Sequence, residues 1–544
     1  MNPTRIALLC AIAFGTSSTL FTGGASAQTP DEMKRVVEEL QRQIQVLKDR
    51  VDQMSAQQKQ QAAQPPAPSQ AVATGASRQP EFLERKPGDG VTFFTRGGEV
   101  SVYGNLDVSV DTATKGISGM VGNNGPADTP AGKSGWMPDI STNLSYVGVR
   151  GFQSLGSNPV NFVYQLETQI DISATPGTTN TNSNQGAIVK SGLTSRNSFI
   201  GLASPSLGAF KIGKTDAPYK TSTARMNPFL GMPGDYSVIM GNTGGDNRVE
   251  FGTRLSHAVW YESPSWNGVR FNALLSPGQN RGSDNSNIPS GEPECRGGNL
   301  PGSGSLPIAC NDGSYGSAWS GSLSYDKGPL YLTAAYEMHK KVNRTSDLGA
   351  FNPLNVADEN AWKIGLQYVF PTRTALSFFW EDMKRHVDSS LAGQNERSRT
   401  GYWFALSQDI SEAGSVHLGW AHANRTPGDP GQHNPDLTMQ DLATGFYPNV
   451  DNRANMYTIA YKHKVDKNFT WYANYAATVN HRFAHFDLGA GGRAVTTDCH
   501  DASNPADPGV TNGITAFTDP NAGGPRCWTG ARLQATSLGI KYQF

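Results

Sequence analysis

From Val100 onward the chain alternates apolar and polar residues. Val100, Val102, Leu106, Val108 and Val110 share one face, with Ser101, Asn105, Asp107, Ser109 and Asp111 on the other. The pattern returns in Trp362, Ile364, Leu366, Tyr368 and Phe370 against Lys363 and Gln367. It returns again in Trp471, Ala473, Tyr475, Ala477 and Val479, and in Leu538, Ile540, Tyr542 and Phe544. A period of two is that of a β-strand with one apolar face. Sixteen such segments are predicted.

Their connections alternate in length. Short turns follow Phe152, Ser204, Ser263, Tyr325, Phe370 and Ile410, and the remaining connections are long. This asymmetry is expected of a membrane barrel with brief turns at one rim and long loops at the other, whereas a two-sheet sandwich has no reason to maintain it. Tyr261, Trp319, Tyr325, Phe370, Trp380, Tyr542 and Phe544 fall near strand ends, where interfacial girdles need aromatic rings. Two hairpins, Arg196 to Ala203 with Gly208 to Lys214 and Arg254 to Ser263 with Gly268 to Ser276, bracket a long segment from Thr215 to Glu250. That segment is rich in Gly, Pro, Asn and Asp and lacks periodicity, which suggests a functional loop folded into the lumen.

The first hundred residues read differently. Arg5, the apolar run Ile6 to Phe14 and Ala25-Ser26-Ala27 form an export signal with an A-x-A cleavage site, so 1–27 is expected to be removed. Residues 28–55 carry a heptad seam of Met33, Val37, Leu40, Ile44, Leu47, Val51 and Met54, opened by the capping sequence Thr29-Pro30-Asp31-Glu32. A short periplasmic coiled coil is expected there, the alternative being a lone amphipathic helix. Residues 56–98, dominated at first by Gln, Ala and Pro, read as a linker, and 99–544 as the barrel.

The stretches SRNSFIGLASPSLGAFKIGK, NPFLGMPGD and RLSHAVWYESPSWNG, with the first strand and the terminal Phe544, resemble the general trimeric porins of Gram-negative outer membranes. The resemblance runs from about Val100 to the end and implies a 16-stranded antiparallel transmembrane β-barrel with an inward-folded constriction loop. It also implies a homotrimer in the outer membrane, among lipid and lipopolysaccharide, passing small hydrophilic solutes and ions. Phe544 is then the C-terminal aromatic of membrane insertion.

Strand phase places Arg150, Arg196, Lys211, Arg254 and Arg270 on the inner wall, with Asp107, Glu167, Asp171 and Glu262. Arg196 and Arg254 are expected to flank the loop from its two adjacent strands, where the family places basic residues opposite its constriction. The loop supplies Asp216, Asp235 and Asp246 with Lys220, Arg225 and Arg248. Such charges bias ion choice at a narrow aqueous passage, or else pin loop to wall as salt bridges. Trp260 departs from the family by standing at a lumenal position.

Composition alters little. The formal net charge of -1 gives no ground for a nucleic-acid partner. After the N-terminus no apolar run is long enough for a spanning helix. Cys295 with Cys310 and Cys499 with Cys527 each lie in one loop-like segment, which favours two local disulfides among three possible connectivities. No metal site or cofactor is expected, and no hydrolase, P-loop or metalloprotease signature occurs, so the chain does not read as an enzyme. Two alternatives stay open: a structural or adhesive protein tethered to the cell wall by its coil, and a substrate-specific, anion-preferring channel.

Overall fold

The computed structural model describes residues 90–121, 131–156, 159–170, 172–173, 196–242, 250–277, 317–343, 356–386, 398–426, 451–481, 484, 486, 488 and 532–544. The expected signal peptide, the coil and most of the linker lie outside these, as do Asp171, Asp246, Arg248 and the four loop cysteines Cys295, Cys310, Cys499 and Cys527.

The described strands are β1 (Val91–Thr95), β2 (Gly98–Val121), β3 (Ala131–Thr142), β4 (Tyr146–Ser154), β5 (Asn161–Gln169) and β6 (Ser198–Ser204). They continue with β7 (Gly208–Asp216), β8 (Arg254–Glu262), β9 (Val269–Ser276), β10 (Ser317–Lys327), β11 (Leu330–Asn343) and β12 (Val356–Val369). The last six are β13 (Thr374–His386), β14 (Arg399–Asp409), β15 (Gly414–Ala423), β16 (Ala454–Lys464), β17 (Phe469–Asn480) and β18 (Arg532–Gln543). Each of β4 to β17 pairs antiparallel with its successor. Strand β2 closes the ring, pairing with β4 along one edge from Gly98 to Asn105 and with β18 along the other from Asn105 to Ala113. A backbone hydrogen bond in each direction between Gly104 and Phe544 completes the seam. The closed wall therefore has sixteen strands, β2 and β4 to β18.

Two strands stand outside this count. β1 folds back on the start of β2, inside the segment expected as linker, because Gly97, at a φ of 83°, turns the chain between Thr95 and Gly98. β3 pairs with β2 from Val108 to Val121, so the first long connection begins as a hairpin built on the wall. The short turn Val465 to Asn468 between β16 and β17 joins those anticipated.

Burial is inverted relative to a water-soluble protein. Val110, Ile200, Phe210, Leu323, Trp362, Ile364 and Leu538 are exposed, and the alternate positions Asp107, Glu167, Lys211, Glu337, Lys363, Glu381 and Arg399 are buried. An outward apolar band over a polar interior is the signature of a barrel in lipid. Among the described residues no helix is long and apolar enough to cross a membrane, which says nothing against strands doing so. Within the wall, tyrosine rings lie over glycines of the neighbouring strand. A Cβ on Gly148 would stand 2.6 Å from the Tyr103 ring, and one on Gly539 would enter that of Tyr472. Tyr472 needs its place, since its hydroxyl donates to Asp107 at 2.7 Å and accepts from Asn143 at 2.8 Å.

Replacing Gly539 with Val should displace that ring and leave the Asp107 carboxylate with less support. A loss of about 1–3 kcal/mol is expected for such overpacking. It would be read as a lower temperature for conversion of the folded, faster-migrating gel band; an unchanged transition would contradict the packing described.

Candidate functional site

The segment after β7 has local reasons for its shape. Pro218 occupies the first turn of helix α1 (Pro218–Ser222), where a missing backbone N–H costs nothing, and Ser222 Oγ donates back to the Tyr219 carbonyl. Short 3-10 turns follow at Ala224–Met226 and Tyr236–Val238. Asp235 braces the bend between them, accepting from Asn227 Nδ2 at 2.8 Å, from the Ser237 amide at 3.0 Å and from the Gly231 amide at 3.2 Å. Gly231 and Gly234 take φ of 81° and 83°, which a side chain would resist.

The loop lies inside the barrel along β10 to β17. Tyr219 starts the contact, its amide donating to Ser320 Oγ at 3.0 Å and its hydroxyl to Glu381 at 3.1 Å. The other Glu381 oxygen accepts from the Gly241 amide at 2.7 Å, and Glu337 accepts from the Gly252 amide at 3.1 Å. Lys363 Nζ reaches the Tyr219 carbonyl at 3.3 Å and lies 3.9 Å from the centre of that ring. Arg399 donates to the carbonyls of Ile239 and Asn242, and Trp403 Nε1 donates to that of Met226 at 3.0 Å. Farther round, Thr458, Lys462 and Asn474 take the carbonyls of Gly234, Pro228 and Pro233. Met226, Phe229, Tyr236, Ile239 and Met240 fill the space against Phe379 and Trp403.

Burial first, then the carboxylates of Glu381 and Glu337, push the Tyr219 hydroxyl well above its ordinary pKa, so it remains a neutral donor. Burial likewise raises Tyr236.

Of the wall residues anticipated from strand phase, Arg196, Lys211 and Arg254 are paired with acids. Arg196 meets Glu167 at 2.5 Å and covers the Tyr146 ring at 4.7 Å. Lys211 meets both oxygens of Glu262 at 2.8 Å. Arg254 meets Asp216 at 3.1 Å and the side-chain oxygen of Asn197 at 2.5 Å. Arg150 lies 4.9 Å from the Tyr103 ring, and Arg270 is exposed near the short-turn rim. One expectation needs correcting. Only Arg254 begins a strand adjacent to the loop; Arg196 precedes β6, with β7 in between. The two meet at one level because Asn197, next to Arg196, bonds both Arg254 and Asp216.

The loop charges divide by role. Asp216 holds Arg254 and Lys220 at the loop root. Arg225 reaches Asp326 at 2.8 Å and Gln367 at 2.9 Å and covers the Tyr331 ring at 4.4 Å. Asp235 is an internal brace and offers little charge to a passage. Lys220 and Arg225 are the loop's exposed cations among the described residues. Trp260 does face inward, edge-on to Phe199 at 5.4 Å, with its indole N–H on Glu262 at 2.8 Å. The grips from Glu337, Glu381, Arg399 and Trp403 were not anticipated. Alternation could have put these residues inside, as it did Lys363, but not named the loop atoms they meet.

A family described as Gram-negative porin matches residues 67–482. Among solved structures, the anion-selective porin from Comamonas acidovorans is similar at a TM-score of 0.51 and 16% identity, covering 82% of this chain and 100% of that one. OmpT of Vibrio cholerae gives 0.46 and 11%, covering 84% and 100%. OmpF of Salmonella typhi gives 0.46 and 12%, covering 84% and 100%. At 16% identity the likeness to the Comamonas porin is one of fold. Comparison with curated protein sequences finds no match. With a closed barrel, an outward apolar band and a family match over most of its length, the chain belongs to the Gram-negative porins and is an outer-membrane channel, not an enzyme.

Proposed function

We propose that the barrel passes small hydrophilic solutes and ions by passive diffusion, narrowed by the loop that begins at Asp216. The observation that carries this reading is the polar, charged interior with a loop fixed along β10 to β17. The passage would run between that loop and the inner faces of β4 to β8. On this side Arg150, Arg196, Lys211, Lys220 and Arg254 outnumber Glu167, Asp216 and Glu262, an excess that favours anions. Family membership supports a homotrimer surrounded by lipid and lipopolysaccharide.

Purified protein in planar bilayers should give stepwise, ohmic conductance, and none above background would end the reading. Changing both Arg196 and Arg254 to Ser should lower anion preference. One charge about 5 Å from a permeating ion in water is worth ~0.8 kcal/mol, or about four-fold in permeability ratio. Reversal potential in a salt gradient measures it; no shift would leave the arginines as braces only. Glu381→Ala removes the acceptor shared by Tyr219 and Gly241, so more frequent closures and noisier current are expected, whereas quiet, unaltered traces would show that the loop is held without it.

A further inference from the structure

Beneath the loop tip, on a stretch of wall the proposed passage does not use, the lumen carries a second group of cations. Lys462 and Lys464 end β16, and Lys541 lies three residues before the last, on β18. The registers set Ser415 opposite Lys462, Lys464 opposite Thr470, and Thr470 opposite Lys541, so these residues share one face of β15 to β18 near the short-turn rim. What they touch shows that the face is the inner one. Lys462 Nζ donates to the Pro228 carbonyl at the loop tip, and Lys541 Nζ reaches Asp107 at 3.2 Å. Lys464 is exposed, and its ammonium makes no hydrogen bond or ion pair among the described residues.

Little on this face balances the three charges. Strands β15 to β18 contain no Asp or Glu. Asp107 is buried and, besides Lys541, accepts from Tyr472 at 2.7 Å and from Asn143 at 3.2 Å. The next carboxylate along the face, Asp409 of β14, opposes Ser415 and so stands two strands from Lys462. His417 is held by Ser407 at 2.8 Å and Ser415 at 2.9 Å and brings no negative charge. Neighbouring strands lie about 4.8 Å apart and alternate residues about 6.6 Å apart, which keeps the three lysine stems within about 12 Å of one another. Like charges so placed repel, and their side chains are long enough to converge on one small anion. An ammonium has several N–H donors, so Lys462 and Lys541 keep donors beyond the contacts they make, and the Thr470 hydroxyl lies between the stems. A single carboxylate would use few of these groups. An oxyanion with more oxygens and two charges uses the set and relieves the repulsion.

We propose that this shelf binds multiply charged oxyanions at the inner mouth of the channel, inorganic phosphate in its dianionic form being the simplest. It deepens the anion preference inferred above by naming a charge class and a place away from Arg196 and Arg254 where the anion is held. The site rests on the channel reading for access, but binding does not require current to flow.

The test uses the full-length protein, as wild type, Lys464→Gln and Lys464→Arg. In detergent and mildly alkaline buffer, where the dianion predominates, phosphate binding is read from broadening of its phosphorus NMR line, and acetate is titrated as a singly charged competitor. Conductance is recorded in planar bilayers from the same preparation. One charge about 5 Å away in water at about 0.1 M salt is worth about two-fold for a monoanion and about five-fold for a dianion. Lys464→Gln should therefore weaken phosphate about five-fold and acetate about two-fold, while Lys464→Arg binds as wild type. Equal phosphate binding by wild type and Lys464→Gln, or equal losses for phosphate and acetate, overturns the site. Ordinary conductance with no phosphate broadening in wild type overturns it too, and leaves the channel reading intact. Lysine-dependent broadening without conductance would instead strike the channel reading and leave the site standing. Should Lys464→Gln fail to fold, Lys462→Gln, whose amide can still donate to Pro228, carries the same five-fold expectation.

Discussion

No water is available in the bilayer core to take an unpaired backbone N–H or C=O. A sheet that crosses it must therefore leave no edge, and here the edge disappears at β2. One stretch of that strand bonds β4, the next bonds β18, and Gly104 and Phe544 exchange hydrogen bonds where the first and last wall strands meet. The rest of the molecule follows from this closure. A closed wall has an inside, the inside is wet and polar, and the outside must be apolar over the depth of the hydrocarbon.

The interior sets a second constraint. A loop folded into it brings backbone groups that can no longer all reach water, and an unpartnered buried polar group is costly. The wall answers with long polar side chains at lumenal positions: Glu337 and Glu381 accept amides, while Lys363, Arg399, Trp403 and Asn474 donate to carbonyls. On the other side charge meets charge, in Arg196 with Glu167, Lys211 with Glu262 and Arg254 with Asp216. Removing one member of a buried pair leaves the other uncompensated, so these residues hold shape and electrostatic field together. The local field and the loop's position are consequently not separable residue by residue on that wall.

The outer surface shows the same logic in reverse. Large apolar side chains remain uncovered because lipid takes the place of a protein core, and polar residues such as Lys340 and Lys384 follow them on the same outward phase toward the long-loop rim.

Strand phase was legible in the sequence because a two-residue period has only two faces, and one of them had to be apolar. Val110 against Asp111, and Ile364 against Lys363, needed no structure to be placed. The sixteen wall strands, the unequal rims and the loop after β7 were equally readable. Partners were not. That Arg196 would find Glu167, that Asp216 would tie Arg254 to Lys220, or that Asp235 would spend its oxygens inside the loop depends on contacts across strands and on the loop's aperiodic backbone. Nor did alternation show that β1 would fold back within the expected linker, since a five-residue strand is fixed by its pairing with β2. Local pattern decided which way each side chain points; only closure of the barrel decided what it meets there.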